Sequence, residues 1–333
     1  MGMLLEDVTR CRSSIGFFLG VVMVLVGCTS SEARSDRPEI KAEAVEEVAP
    51  ADVEPPPEST TVAPQMEPDQ QDLPTTAAEM VVAFDEAEAA VADSVASDDS
   101  VQAWGRRQQM LYQVLLEKQD WSAEVEADIS DDARASFDLN WKAKKALTSL
   151  SKTKTLTDTM PAWRLGEPEP AKTLLGYYKE AETESGVAWQ YLAAINLVET
   201  RMGRIDGVST AGAEGPMQFL PTTWAECCEG DPAEPRDAIL GAAKYLTDRG
   251  APQDMDRAIL GYNNSKFYVE AVKAYADALT NNEQLYYGYH SWEVYFRTVE
   301  GIIRMPADYN EAEPVPVKEW LKQNPDALFS VDS

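Results

Sequence analysis

The sequence predicts a mainly α-helical protein with a small C-terminal β-hairpin, and three observations predict it. From residue 101 onward, apolar residues recur mostly every three or four positions, which is the period of an amphipathic helix. Over residues 292–298 they alternate instead, and a second β-rich run follows a Glu-Gly turn, which predicts a hairpin. Residues 29–76 are acidic and Pro-rich with almost no aromatic residue, which is typical of a segment without a core.

Residues 1–28 have the pattern of a lipoprotein signal peptide. The apolar run 15–26 is shorter than the roughly 20 residues of a membrane-spanning helix, so it fits a secretory leader better. It ends in Leu-Val-Gly-Cys28, which resembles the bacterial lipobox. That resemblance implies cleavage before Cys28, a lipid on its sulfur, and an extracytoplasmic chain held by that lipid to a bacterial membrane, the periplasmic face of the outer membrane in a host with two. An uncleaved anchor is the alternative.

The remaining chain divides into four parts by composition. Residues 29–98 are predicted to be an acidic, Pro-rich tether that is disordered apart from a weak helix beginning near residue 77. Residues 99–160 are expected to form a helical N-terminal extension. A Pro-rich breaker at 165–170 lies near the start of a third part, 161–280, which is mostly helical and carries the candidate site. Residues 281–333 are expected to be the hairpin and an irregular tail.

Composition excludes several classes of function. The formal net charge is −28, whereas nucleic-acid binding requires clustered Lys and Arg. There is one His, and none of the four Cys lies in a Cys-x-x-Cys motif, so His-rich metal sites and zinc knuckles are excluded. We therefore expect no metal, no cofactor and no nucleic-acid partner, and chemistry that rests on carboxylates, hydroxyls, amides and aromatic rings.

Glu199 is a carboxylate that falls on an apolar helix face. In the helix predicted from residue 187, Leu192, Ile195 and Glu199 follow each other in steps of three and four. Removal of a carboxyl group from water raises its pKa, which is what a general acid near neutral pH requires. The alternative is a structural Glu that pairs with Arg201 or Arg204.

Three motifs around Glu199 resemble the catalytic core of bacterial lytic transglycosylases, the lysozyme-like enzymes that cleave peptidoglycan. Glu-Thr-x-x-Gly occupies 199–203, Gly-Ala-x-Gly-x-Met-Gln-Phe occupies 212–219, and Gly-Tyr-Asn occupies 261–263. The resemblance covers about residues 160–305, in the family's order. It implies a lysozyme-like fold of the goose-type or SLT class, and a glycan strand of peptidoglycan as the substrate.

The resemblance also implies roles for particular residues. Glu199 is the implied catalytic acid, and Tyr262 is expected to hold its carboxyl group through the phenol. Gln218 can both donate to and accept from an N-acetyl group, and Ser209 supplies the hydroxyl beside the acid. The full set of expected substrate-binding residues is Ser209, Gly215, Met217, Gln218, Tyr262 and Asn263.

The implied reaction cleaves the β-1,4 bond between MurNAc and GlcNAc and leaves a 1,6-anhydroMurNAc end, with Glu199 acting first as acid and then as base. Asp206 and Glu214 are the only nearby candidates for the second carboxylate that most glycosidases use. A lysozyme-type hydrolase, a non-catalytic glycan-binding lipoprotein and a scaffold that docks other cell-wall enzymes through residues 77–160 remain alternatives. Cys227 and Cys228 are either two buried thiols or a bridge between neighbours.

Overall fold

The structure, a computed structural model, describes residues 67–151 and 155–330, all of which belong to one compact unit. These residues are mainly helical, as predicted. The twelve described α-helices are α1 Ala77–Ala92, α2 Asp98–Glu117, α3 Ser122–Asp128, α4 Asp131–Ser151, α5 Ala171–Ser185, α6 Trp189–Thr200, α7 Pro221–Cys227, α8 Pro235–Asp248, α9 Met255–Tyr262, α10 Lys266–Asn281, α11 Leu285–His290 and α12 Val317–Gln323.

Short antiparallel strands make up the rest of the regular structure. They are β1 Thr159–Met160, β2 Arg164–Leu165, β3 Ile205–Asp206, β4 Tyr295–Thr298, β5 Gly301–Arg304, β6 Val315–Pro316 and β7 Leu328–Phe329. The predicted hairpin is present as β4–β5, and β7 adds a third strand to it. The predicted irregular tail is wrong, because α12 and β7 are ordered parts of this C-terminal region.

Helix α1 corrects the boundary of the predicted tether. Met80, Phe84 and Val91 are fully buried, although residues 29–98 were expected to lack a core. Within this acidic segment an apolar residue recurs every three or four positions. These residues therefore lie on one face of the helix, which is the face that is buried. The hydroxyl of Thr76 caps α1 by accepting a hydrogen bond from the backbone of Glu79.

The segment just before α1 is also attached to the folded unit. The guanidinium group of Arg107 donates to the carbonyl oxygens of Gln71 and Asp72, at 3.0 and 2.8 Å, and Arg106 pairs with Asp69. The folded part therefore includes residues from 67 onward, whereas the rest of the predicted tether, with the signal peptide and Cys28, lies outside the described residues.

The predicted N-terminal extension packs on the rest of the helical protein rather than standing apart. Helix α4 lies along α10. Ala143 and Leu150 from α4 belong to the same apolar cluster as Leu192 and Ile195 from α6. A second cluster, around Phe84, joins α1 to α4. We call residues 77–151 and 171–292 the helical region. A docking role of residues 77–160 for other enzymes stays a prediction.

The hairpin belongs to a small lobe with its own apolar core. This small lobe consists of residues 157–165 and 294–329, and its buried apolar side chains are Met160, Leu165, Val294, Phe296, Ile303, Met305, Tyr309, Val317 and Trp320. Strand β2 of the small lobe pairs with β3 of the helical region, with Leu165 opposite Ile205. This ladder brings the hairpin to the end of α6, where Glu199 lies.

No helix within residues 67–151 and 155–330 has both the length and the apolar character that crossing a membrane requires.

Candidate active site

Glu199 lies one residue before the end of α6, at the edge of a cleft. Leu192 and Ile195, on the same helix face, are fully buried, whereas Glu199 is half-buried because the cleft begins at its side chain. The position of this carboxylate at the end of an apolar row agrees with the sequence pattern. The helix thus presents one carboxyl group at the border between a packed core and an open cleft.

Tyr268, in the first turn of α10, holds the Glu199 carboxyl group. Its hydroxyl donates to Oε1 of Glu199 at 2.6 Å, and the ring is 1% exposed. Burial raises the pKa of Tyr268 well above its ordinary value, and the negative charge of Glu199 raises that pKa further. Tyr268 therefore keeps its proton and acts as a permanent donor to one oxygen of the carboxyl group.

This contact corrects the expected role of Tyr262. The hydroxyl of Tyr262 donates instead to the backbone carbonyl of Met217, at 2.6 Å. Its buried ring meets Phe219 and Tyr245 edge to face, with centroids 5.8 and 5.6 Å apart. Tyr262 thus attaches residues 212–219, which we call the Gly-rich loop, to α9, and it does not itself line the cleft.

A sequence signal for Tyr268 was present and was missed. Tyr268, Val272, Tyr275 and Leu279 follow each other in steps of four, three and four, and all are buried. This is the same kind of row that carries Glu199 on α6. A polar group at one end of an apolar row identifies both members of the pair, Glu199 at the end of its row and Tyr268 at the start, but the sequence does not say that the two rows meet.

The backbone after Glu199 is bent into an unusual conformation. Arg201, Met202 and Gly203 have φ angles of 56°, 62° and 91°, so three consecutive residues are left-handed and only one is a glycine. A left-handed non-Gly residue costs roughly 1–2 kcal/mol. The Arg201 side chain closes this turn by donating to the carbonyl of Leu197 at 2.6 Å.

Two polar side chains of α6 stabilise this bend and connect it to the Gly-rich loop. The hydroxyl of Thr200 and the amide of Asn196 both donate to the carbonyl of Pro216, at 2.7 and 2.8 Å. Both side chains are buried. Thr200, directly after Glu199, therefore has a structural partner, and it places the loop beside the acid.

The structure brings Ser209 and Gln218 into the cleft with Glu199, as predicted. The Ser209 hydroxyl accepts from the backbone N–H of Ala213 at 2.7 Å, which closes the loop. Gln218 has a left-handed backbone, φ 52°, and its side-chain NH₂ donates to the carbonyl of Gly215 at 2.9 Å. Both side chains are held before any ligand arrives, but their roles in binding stay predictions.

Gly215, Met217 and Asn263 do not line this cleft, so the structure gives no support to direct substrate contacts from them. Met217 is fully buried in the helical core. Gly215 is required elsewhere: its φ is +74°, and a Cβ there would lie 2.0 Å from the carbonyl oxygen of Pro232. Asn263 is 3% exposed, and its Oδ1 is buried without a hydrogen-bond partner among the described residues.

The small lobe also contributes to the cleft: Trp163 lies within residues 161–280, the part predicted to carry the site, whereas residues 294–296 lie beyond that part. Trp163, Val294, Tyr295 and Phe296 line the same cleft as Glu199, and we call these four residues the small-lobe wall. The lining of the cleft therefore extends beyond the expected boundary at residue 280, because Val294, Tyr295 and Phe296 lie in or next to the hairpin. Nothing local in residues 292–298 distinguishes a hairpin that borders a site from one that only packs.

The cleft is mostly apolar and contains a single carboxylate. It encloses about 560 Å³, including space open to solvent, and its described charged residues are Glu199 and Arg201. Asp206 is exposed and pairs with Arg164, while Glu214 forms a backbone bridge with Phe219. Neither lines the cleft, so the geometry offers neither of them as a second catalytic carboxylate.

Two further features complete the region. Cys227 and Cys228, at the end of α7, form a disulfide between neighbours, which decides an alternative that the sequence left open. Across the part of the chain that the structure describes, no group of three or more His, Cys, Asp or Glu residues is arranged to hold a metal ion.

Residues 176–285 match the family model described as "Transglycosylase SLT domain". A curated relative, the "Membrane-bound lytic murein transglycosylase F" of Thiobacillus denitrificans, is 30% identical over 119 residues, which are 33% of this chain and 25% of that protein. The match thus spans about a quarter of the relative's length. No solved structure gives a significant match. The predicted resemblance to bacterial lytic transglycosylases and the helical SLT fold class are confirmed by the family match over residues 176–285.

Proposed function

We propose that this protein is a peptidoglycan lytic transglycosylase that cleaves the β-1,4 bond between MurNAc and GlcNAc and leaves a 1,6-anhydroMurNAc end. The family match and the relative's name support the class of reaction. The observation that carries the mechanism is the presence of one carboxylate in the cleft, Glu199, held by Tyr268. Hydrolysing glycosidases normally place two carboxylates across the scissile bond.

A single carboxylate is sufficient when the attacking hydroxyl belongs to the substrate. Glu199 gives its proton to the glycosidic oxygen as the bond from C1 to that oxygen breaks, and the GlcNAc portion leaves with a free hydroxyl. The substrate's N-acetyl group stabilises the resulting positive charge on the MurNAc sugar. The MurNAc 6-hydroxyl then bonds to C1 and returns its proton to Glu199, which restores the acid. No water is consumed, so atoms and charge balance within the glycan.

The experiment is digestion of purified sacculi followed by mass spectrometry of the soluble products. A transglycosylase product is one water lighter than the product of hydrolysis, so product mass distinguishes the two reactions. Glu199→Gln keeps the shape of the side chain and removes the proton. We expect a rate loss of about 10³-fold or more, because general acid–base catalysis typically contributes 10²–10⁴-fold.

Glu214→Gln is the matched control, because it makes the same chemical change in the neighbouring loop at a residue that does not line the cleft. It should stay near the wild-type rate. Products with reducing ends would establish the hydrolase alternative instead. A folded Glu199→Gln protein that keeps more than a tenth of the activity would exclude Glu199 as the acid, and a wild type that releases nothing would point to a glycan-binding protein.

We also propose that the chain is anchored to a membrane through lipid on Cys28. The lipobox-like run before Cys28 supports this, and the relative's name describes a membrane-bound protein. Metabolic labelling with a palmitate analogue should mark the wild type and Cys11→Ser, but not Cys28→Ser. Cys11 is a matched control because it lies in the same leader. Equal labelling of both variants would contradict the proposal.

A further inference from the structure

The two walls of the cleft differ in origin and in chemistry. Residues inside the family match supply Glu199, Ser209 and Gln218, which carry a carboxyl, a hydroxyl and an amide. Residues outside that match supply the small-lobe wall, where Trp163 and Phe296 are aromatic. The proposed reaction accounts for the first wall. It assigns nothing to the second.

Trp163 and Tyr295 are the aromatic residues of that wall that are half-buried rather than fully buried, and the Tyr295 ring packs edge to face on Phe329. Phe296 meets the Trp163 ring edge to face, with ring centroids 5.5 Å apart and an interplanar angle of 75°. Gly207 lies directly against the indole, because a Cβ at that position would be 2.1 Å from Cδ1 of Trp163. The indole ring is thus held between Phe296 of the small lobe and Gly207, the residue that follows β3 in the helical region.

The backbone around Trp163 is equally constrained. Its carbonyl accepts from the N–H of Glu311 at 3.0 Å, and its own N–H donates to the carbonyl of Pro161 at 3.0 Å. The next residue, Arg164, begins strand β2 and is paired with Asp206. An aromatic ring fixed in this way loses little conformational entropy when a ligand covers its accessible part.

The chemistry of the lining favours a neutral sugar ring over a charged peptide. A pyranose has apolar C–H groups on its faces and polar groups at its rim, so it fits an apolar wall with a few placed polar groups. Trp163, Val294 and Phe296 carry no charge, and the cation in the described lining, Arg201, already donates to the carbonyl of Leu197, whereas a peptide with free carboxylates would require available cations. Across the cleft, Gln218 and Ser209 offer an amide and a hydroxyl to an N-acetyl group.

We infer that Trp163 is a binding platform for an N-acetylated sugar ring of the glycan, on the small-lobe side of the cleft, and that Gly207 is a glycine so that the indole can lie there. This inference rests on the proposed function for the identity of the glycan. It adds a subsite contributed from outside the segment that matches the family.

The test measures binding without cleavage. The full-length chain carrying Glu199→Gln is titrated with chitotetraose, a β-1,4-linked N-acetylglucosamine oligomer, by calorimetry. Adding Trp163→Ala should weaken the affinity about tenfold, which corresponds to about 1.4 kcal/mol, at the upper end of aromatic contact energies. Trp163→Phe keeps an aromatic face and should recover most of the affinity.

Two further variants separate a platform from a general loss of structure. Trp121→Ala is the matched control: Trp121 is also half-buried, but it lies in a 3₁₀ helix before α3 and away from the cleft. It should bind like the parent. Gly207→Ala leaves Trp163 in the sequence but displaces the indole, so it should lose affinity as Trp163→Ala does, with an unchanged circular dichroism spectrum.

The outcomes distinguish this inference from the proposed reaction. Undiminished binding by a folded Trp163→Ala protein, or an equal loss in Trp121→Ala, overturns the platform even if Glu199→Gln is inactive. A wild type that does not bind chitotetraose overturns it as well. Conversely, if Glu199→Gln retains activity while Trp163→Ala selectively loses binding, the proposed role of Glu199 fails and the platform stands.

Discussion

The helical region and the small lobe differ in the kinds of side chain that they bury. Among the described residues, the helical region buries charged and amide side chains, including Glu88, Lys144 and Asn196. The polar side chains buried in the small lobe are two threonines, Thr157 and Thr298. Its core is otherwise apolar and aromatic. The two regions meet at the cleft, where one presents a held carboxyl group and the other presents rings.

This difference indicates that the helical region positions polar groups at the cleft, whereas the small lobe supplies apolar contacts. A buried polar group is costly unless it is hydrogen-bonded, so each such group in the helical region requires a defined partner and thereby fixes geometry. Tyr268 and Glu199 are an example of this, as are Thr200 and Pro216. The small lobe needs only shape and apolar contact, which suits binding rather than proton transfer.

The largest expected effect tests whether the small lobe has an independent core. Phe296→Ala removes a ring that is 2% exposed, and a buried Phe→Ala change typically costs about 3–5 kcal/mol. Phe219→Ala, in the helical region, should cost a similar amount. Hydrogen–deuterium exchange should then rise in β4 and β5 for Phe296→Ala and in α7 to α9 for Phe219→Ala. Identical exchange patterns would mean that both regions unfold as one unit.

The second prediction concerns the reason for Gly215 in the loop. Gly215→Ala should lower the free energy of unfolding by about 2–3 kcal/mol, because the new Cβ would strike the backbone of Pro232 and the φ is left-handed. Gly212→Ala is the control, since its φ is also positive but a Cβ there meets nothing within 4 Å. It should cost about 1 kcal/mol. Urea denaturation measures both, and equal losses would show that only the backbone conformation matters.

The third prediction separates the two tyrosines near Glu199. Tyr268→Phe removes the donor to Oε1, and a hydrogen bond to a charged group contributes about 1.5–3 kcal/mol, so the rate should fall roughly ten- to a hundredfold. Tyr262→Phe should instead lower stability by about 1–3 kcal/mol, because the buried carbonyl of Met217 loses its donor. Reaction rates per folded molecule and melting curves distinguish the two variants. A loss of rate in Tyr262→Phe with a loss of stability in Tyr268→Phe would support the role first expected of Tyr262.

The smallest effect concerns pH and the helical region alone. Glu88 is 1% exposed and accepts hydrogen bonds from Ser136, Tyr112 and Gln108, yet burial raises its pKa above the ordinary value of 4.5. Above pH 4.5 the folded state therefore binds this proton more tightly than the unfolded state. The stabilisation that protonated Glu88 adds to the free energy of unfolding is complete below pH 4.5. It is lost as the pH rises through the pKa that Glu88 has in the folded state.

Glu88→Gln removes this titration, so its free energy of unfolding should fall less than that of the wild type as pH rises from 4.5 toward neutrality. Denaturation across that range measures the difference in slope, and Glu124→Gln, on the exposed side of α3, controls for the lost charge. Parallel curves for wild type and Glu88→Gln would show that the network around Glu88 holds the carboxylate without penalty.

Sequence patterns predicted local features well and missed features that depend on distant segments. The row that ends at Glu199 and the β4–β5 hairpin follow from spacing within about 20 residues, whereas Ser209 and Gln218 were identified by the resemblance of their loop to a family motif. The burial of α1 was missed because composition was averaged over a long acidic segment, which hid the apolar face around Phe84.

By itself, the sequence determined the mainly helical class, the β4–β5 hairpin and the position of Glu199 on an apolar helix face, because helix and strand periodicity depend on neighbours along the chain. Only the tertiary structure decided which tyrosine reaches Glu199. Tyr262 and Tyr268 are both buried, and the hydroxyl that meets the carboxylate depends on how α10 crosses α6. It also decided that Trp163 lines the same cleft as Glu199, because that position depends on the pairing of β2 with β3, two segments brought together by packing.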